Sequence, residues 1–209
     1  MIHLPPNDFW EIFLPTYGAF STAEAIALYN ICKEAPEGYA YEFGSHKGKS
    51  SMCISRGLSG GYLTLVEPEF KDNKWDAEVF DKVIQETQCA VDTMADYSLD
   101  VIPHITTASF VFIDSGVHDD MVMEEVKGLE DKMIDGGIIA FHDYLNQFTA
   151  VERAYNYLLG TGKYEPIKIN WNEIFEYVKE HDLEKDNNSW HQYPELTHPP
   201  NFVGALRRK

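Results

Sequence analysis

Hydrophobic positions along the chain follow two rhythms. Continuous apolar runs of strand length occur at "YAYEF" (39–43), "YLTLVE" (62–67), "SFVFID" (109–114) and "GGIIAFHD" (136–143). Between them lie segments with helical spacing at 48–58, 73–86 and 119–133. In the last of these, Val122, Val126, Leu129 and Met133 recur on one face and "DGG" at 135–137 reads as the stop. A third strand is expected before "DYSLDVIP" (96–103). Upstream, Ser21 and Glu24 form a capping-box pattern that opens a helix to about Ala35, closed by Pro36 and Gly38, while residues 1–20 read as irregular. Ile/Val/Phe-rich strands alternating with helices predict a parallel sheet covered on both faces, a three-layer α/β domain. Near the C-terminus, "YEPIKIN" (164–170) and "FVGALRR" (202–208) read as an antiparallel pair, and 180–200 as a long polar loop.

Composition narrows this only slightly. A chain of 209 residues suits one domain, here divided into an N-terminal cap segment, 1–37, and a core, 38–209. Acidic side chains outnumber basic ones 34 to 17, a formal net charge of −17. That field argues against a nucleic-acid partner, whose binding rests on phosphate neutralisation. The first residues lack the pattern of a signal peptide, and no apolar run is long enough to span a membrane. Cys32, Cys53 and Cys89 form neither a metal knuckle nor a disulfide framework. The expectation is a cytoplasmic protein without a membrane partner; homo-oligomerisation stays open.

The chemistry concentrates at the predicted strand ends, where open α/β sheets bind ligands. "EFGSHKGKS" (42–50) is not a triphosphate loop, because only Ser45, His46 and Lys47 separate Gly44 from Gly48 and such a loop needs four residues there. Nor is it a dinucleotide fingerprint, since His46 stands where the middle glycine belongs. Glu67 follows Gly44 by 67 − 44 = 23 residues, close to the spacing of an acid that accepts ribose hydroxyls. Glycines at 44 and 48 would let the backbone approach a ligand, and the following helix N-terminus favours a carboxylate. A ligand with a ribose and a carboxylate but no phosphates is indicated, and S-adenosylmethionine has that form.

These segments resemble the class I S-adenosylmethionine-dependent methyltransferases. "EFGSHKGKS" is similar to their E-x-G-x-x-x-G-x-S motif, "VEPEF" to the acidic end of strand two, and "YSLDVIPHI" to the segment beside the adenine. "FVFIDSGVHDD" and "GGIIAFHDY" resemble the metal-binding strand ends of the small-molecule O-methyltransferases, including the catechol and macrocin types. The resemblance covers roughly 38–155. It implies a Rossmann-like three-layer sandwich with a mostly parallel seven-stranded sheet and an antiparallel last strand. It also implies that Gly44, Ser45, His46 and Gly48 line the aminoacyl tail, that Ser50 bonds its carboxylate, and that Glu42 braces the loop and reaches toward the amino group. Glu67 would take the ribose, Ser98 would border the adenine, and Asp114 would lie beside the cofactor. Asp114, His142 and Asp143 would hold a divalent metal, Mg²⁺ or Mn²⁺, and a small-molecule acceptor, a sugar or a phenol, would be methylated on oxygen. His142 departs from the commoner carboxylate: as a ligand it would shift the preference toward Mn²⁺ or Fe²⁺, and the other role open to it is a hydrogen bond to a metal-bound water. Val117 stands where the catechol type carries its Lys, which leaves His118 as the base, acting with Asp114 and the metal.

Each residue also has a plainer role open to it. The two glycines suit any tight strand–helix turn, Glu67 a solvated surface, Asp114 a helix cap, and His118 an exposed surface. Two other functions share the sheet: a non-catalytic S-adenosylmethionine-binding module, and a nicotinamide-dependent oxidoreductase.

Overall fold

The computed structural model describes residues 2–18, 20–85, 87–116, 119–144, 149–183 and 203–209. From Tyr39 to Phe141, strands and helices alternate in the predicted order, while the helices Thr149–Gly160 and Trp171–Glu180 that follow were not expected from the sequence. Strands β1 (Tyr39–Phe43), β2 (Tyr62–Val66), β3 (Ala90–Met94), β4 (Ala108–Ile113) and β5 (Met133–Phe141) are parallel, and β6 (Tyr164–Pro166) and β7 (Gly204–Arg208) complete one sheet in the order β3-β2-β1-β4-β5-β7-β6. β7 runs antiparallel between β5 and β6. This is the mostly parallel seven-stranded sheet with an antiparallel last strand.

Period-two alternation sorts the strand residues into two cores. Ala40, Leu63, Leu65, Phe110, Phe112, Ile138 and Ala140 face one side. There α2 (Thr22–Lys33), α3 (Lys49–Gly57) and α8 (Trp171–Glu180) contribute Ile26, Leu28, Met52, Ile54, Ile174 and Val178. Phe43, Val66, Val111, Ile113, Ile139 and Phe141 face the other side, against Val122, Val126 and Leu129 of α6 (Asp119–Leu129) and Val151, Ala154 and Leu158 of α7 (Thr149–Gly160). Strands buried on both faces explain why these segments read as unbroken apolar runs. Among the described residues, no helix is long and apolar enough to cross a membrane.

Two expectations about local structure are corrected. Residues 1–20 are not irregular throughout: α1 (Asn7–Phe13) buries Phe9, Trp10 and Phe13 as a mutually packed aromatic set. Helix α6 ends at Leu129, and Met133 opens β5, with Asp135, Gly136 and Gly137 inside that strand rather than terminating the helix. Pairing of β4 with β5 is irregular between Ala108 and Phe110, so the strand absorbs its glycines at a bulge. Helices α4 (Asn73–Val83) and α5 (Ser98–Val101) flank β3. Of the predicted loop 180–200, residues 184–200 lie outside the described residues.

Candidate active site

One residue beyond each strand, the sheet continues as a staircase of backbone hydrogen bonds. Glu67 N donates to Met94 O (3.0 Å), Gly44 N to Val66 O (2.9 Å), Asp114 N to Phe43 O (2.8 Å) and His142 N to Ile113 O (3.1 Å). The parallel sheet thereby lines up Glu67, Gly44, Asp114 and His142 along its carboxyl edge.

At Gly44 the backbone has φ +90°, and a Cβ there would lie 2.2 Å from the carbonyl oxygen of Asp114. At Gly48, with φ +79°, a Cβ would meet Val79 at 2.8 Å. The glycines were expected to make room for a ligand; the close approaches they permit here are to the chain's own β4 end and α4. Lys49 is buried, its ammonium 4.6 Å from the Phe13 ring centre, turned to α1.

Glu42 shares a sheet face with Ala40 and is fully buried beneath the first turn of α3. Its carboxylate accepts from Ser50 Oγ (2.5 Å) and from Ser51 Oγ. Burial raises its pKa to about 7; Ser50, Ser51 and Ser45 hold it down in part, and nearby Asp114 pushes it up. Ser50, expected on the ligand's carboxylate, spends its proton on Glu42. Ser45 is buried as well, and its side chain adds to the hydrogen bonding that holds the Glu42 carboxylate down.

Glu67 is held from two sides, Oε2 accepting from His46 N (3.0 Å) and Oε1 from Glu69 N (3.1 Å). His46 has φ 41°, and its carbonyl accepts from Trp75 Nε1 (2.9 Å), so α4 clasps the loop. Ser98 donates to Glu125, which also accepts from Ser115 Oγ (2.5 Å) on the same oxygen. Glu125 is fully buried, its other oxygen has no partner among the described residues, and burial raises its pKa. Glu125 was given no role from the sequence. Its place three residues after Val122 and four before Leu129, on the apolar stripe, was the signal that could have found it.

At the β4 and β5 ends, His142 Nδ1 lies 3.1 Å from Asp114 Oδ1 and 3.6 Å from Asp143 Oδ2. Its Nε2 lies 3.1 Å from Oε1 of Glu24, a residue given only a capping role by the sequence. The ring packs against Phe20 (5.3 Å between centres) and Phe112 (6.3 Å). Burial disfavours the His142 charge, but Asp114 and Glu24 outweigh it and raise the pKa well above the ordinary value. Glu24 would be raised by burial, yet His142 and Ser21 bring it below its ordinary value. Asp114 is raised by desolvation, against the pull of His142.

Asp114, His142 and Asp143 place one donor atom each within 4.8 Å of one another. Donors about 2.1 Å from a six-coordinate cation and at right angles to each other stand about 3.0 Å apart. The 3.1 and 3.6 Å edges approach that spacing. Asp143 adopts φ 55°, a left-handed conformation seldom used outside glycine, at this cluster. Two carboxylates and an imidazole form a donor set suited to Mn²⁺ or Fe²⁺ as well as Mg²⁺. The residues fit a divalent cation. His118, with Val117, lies outside the described residues.

Residues 41–144 match a family model described as a methyltransferase domain. The structure is similar to that of the O-methyltransferase TomG from Streptomyces achromogenes, involved in tomaymycin synthesis, in complex with SAM. The TM-score is 0.58 at 15% identity, covering 81% of this chain and 84% of that one. It is similar also to an O-methyltransferase from Bacillus cereus in complex with SAH, with TM-score 0.60, 17% identity and coverage of 78% and 84%. A putative rRNA methylase from Clostridium thermocellum aligns with TM-score 0.55, 11% identity and coverage of 87% and 95%. No curated protein matches the sequence.

Proposed function

From a chain that is a class I S-adenosylmethionine-dependent methyltransferase, we propose that it methylates an oxygen of a small molecule, a sugar or phenolic hydroxyl, with help from a divalent cation. The observation that carries this reading is the convergence of Asp114, His142 and Asp143 beside the loop that follows β1. When bound, S-adenosylmethionine supplies an electrophilic methyl on a sulfonium, and a divalent cation supplies positive charge that lowers the pKa of a nearby hydroxyl.

The chain's own residues then bind and orient. Glu67, fixed by two backbone donors, presents its carboxylate to the ribose hydroxyls. The loop of Gly44, Ser45, His46 and Gly48 receives the aminoacyl tail, with Glu42 beneath it. Ser98 and Glu125 border the adenine. Asp114 and Asp143, with His142, would hold the cation at the edge where the acceptor enters. Held by Glu67 and the loop, the cofactor would supply both the methyl and, as a neutral thioether, the leaving group for an attacking acceptor oxygen. The acceptor's proton goes to a base, the role assigned to His118. In-line alignment and exclusion of water supply most of the rate.

Radiolabelled S-adenosylmethionine offered with panels of sugars and phenols tests the acceptor class; label recovered on nitrogen would overturn the oxygen assignment. Asp114→Asn and Asp143→Asn should each cut turnover at least 100-fold while changing S-adenosylhomocysteine affinity by less than about threefold, a pattern expected of groups acting at the transition state. EDTA should abolish turnover and Mn²⁺ restore it. Full turnover in EDTA would remove the metal from the mechanism and leave the methyl transfer standing.

A further inference from the structure

We propose that Glu24 is the positioning residue of the cation site: its carboxylate takes the hydrogen bond of His142 Nε2 and so turns the Nδ1 lone pair toward Asp114 and Asp143. This rests on the metal reading above. Glu24 belongs to α2, outside the residues that match the methyltransferase domain, and is 118 residues from His142 in sequence.

Its two oxygens have separate tasks. Oε2 accepts from Ser21 N and Ser21 Oγ, both at 2.7 Å, completing the capping box at the start of α2. Oε1 faces His142 Nε2 at 3.1 Å. A capping box needs the first task only and is commonly made at a surface. Glu24 has no exposed area, and burying a carboxylate costs several kcal/mol unless a partner offsets it. The cap therefore does not explain where this carboxylate sits; the imidazole does.

A neutral imidazole carries its proton on one nitrogen, chosen by the acceptor that each nitrogen meets. Without a cation, Nδ1 faces Asp114 Oδ1 at 3.1 Å as a proton donor. A cation would displace that proton, while the carboxylate at Nε2 keeps the other proton there and leaves the Nδ1 lone pair for the ion. Phe20 and Phe112 against the ring hold its orientation. Ser21 and Glu24 thereby tie the N-terminal segment to the site by one carboxylate.

The test is Mn²⁺ titration of the full chain, read by electron paramagnetic resonance, with S-adenosylhomocysteine affinity measured in parallel. Glu24→Gln keeps the size but loses the charge, and should weaken Mn²⁺ binding about tenfold or more, with S-adenosylhomocysteine affinity unchanged. Ser21→Ala breaks the capping box but leaves the His142 contact, and should leave Mn²⁺ affinity as in wild type. Equal Mn²⁺ affinity in wild type and Glu24→Gln, or an equal loss in Ser21→Ala, overturns the proposal while the metal site stands. Wild type that binds S-adenosylhomocysteine but no Mn²⁺ overturns it together with the metal reading, and leaves methyl transfer intact. A second measurement needs no variant: ¹⁵N-histidine NMR of the Zn²⁺-loaded protein should find the His142 proton on Nε2, and a proton on Nδ1 is the contrary result.

Discussion

Glu42 shows how much one buried carboxylate commits a fold. Its folded pKa of about 7 stands above the ordinary 4.5 because burial outweighs the serine hydrogen bonds. Between those values the folded state holds a proton that the unfolded chain has released, so stability falls as pH rises from about 4.5 to about 7 and levels off beyond. At 1.36 kcal/mol per unit, the loss is on the order of 3 kcal/mol. Glu42→Gln should lack this slope, so urea midpoints of the two proteins should diverge across that window, with the variant gaining relative stability as pH rises. Parallel curves would mean that Glu42 ionises as an ordinary carboxylate. Glu67 makes a different kind of claim. Two backbone donors aim it, but neither consumes both lone pairs of an oxygen, so it can still accept from ribose. Glu67→Ala should weaken S-adenosylhomocysteine binding by about 1.5–3 kcal/mol, the range for hydrogen bonds to a charged group. Isothermal titration reads this directly, and equal affinity would remove the ribose assignment.

At the scale of elements, the joints between strands carry constraints that no single segment displays. Gly44→Ala would bring a methyl to 2.2 Å from the Asp114 carbonyl at φ +90°. The β1 and β4 ends would have to separate, at a cost of roughly 2–4 kcal/mol. Gly136→Ala is the control: φ is +77° but a Cβ there meets nothing within 4 Å, so only backbone strain of about 1–2 kcal/mol applies. Similar urea midpoints for the two variants would contradict the contact argument. Strands β1, β2, β4 and β5 were legible because burial on both faces leaves an unbroken apolar run. The end of α6 was not, since Met133 continues the helical spacing and the choice between α6 and β5 is made by pairing with Ala108. Of the candidate site, the positions that follow a strand were legible, those of Glu67, Asp114, His142 and Asp143. Glu24 was hidden because its local pattern already had a sufficient explanation, and its partner His142 is brought to it only by tertiary packing.

For the whole molecule, the arrangement decides between ligands that share this sheet. A nucleoside triphosphate needs a cationic side chain over its phosphates, whereas Lys49 turns its ammonium to Phe13 of α1 and Glu42 lies beneath the loop. The net charge of −17 adds long-range repulsion to any polyphosphate. A dinucleotide requires close backbone approach at a glycine where His46 stands. S-adenosylhomocysteine carries no phosphate and meets none of these obstacles. A ligand that binds only the folded state stabilises it by about 2.7 kcal/mol at one hundred times its Kd. For a domain of about 200 residues that raises Tm by roughly 5–10 °C, since each kcal/mol is worth about 2–4 °C. Thermal unfolding with S-adenosylhomocysteine, NAD and ATP in parallel should therefore show a shift with the first alone, with or without Mg²⁺. An ATP-dependent shift abolished by Lys49→Ala would show that Lys49 leaves Phe13 to reach a phosphate, and the ligand class argued for the loop would have to be abandoned.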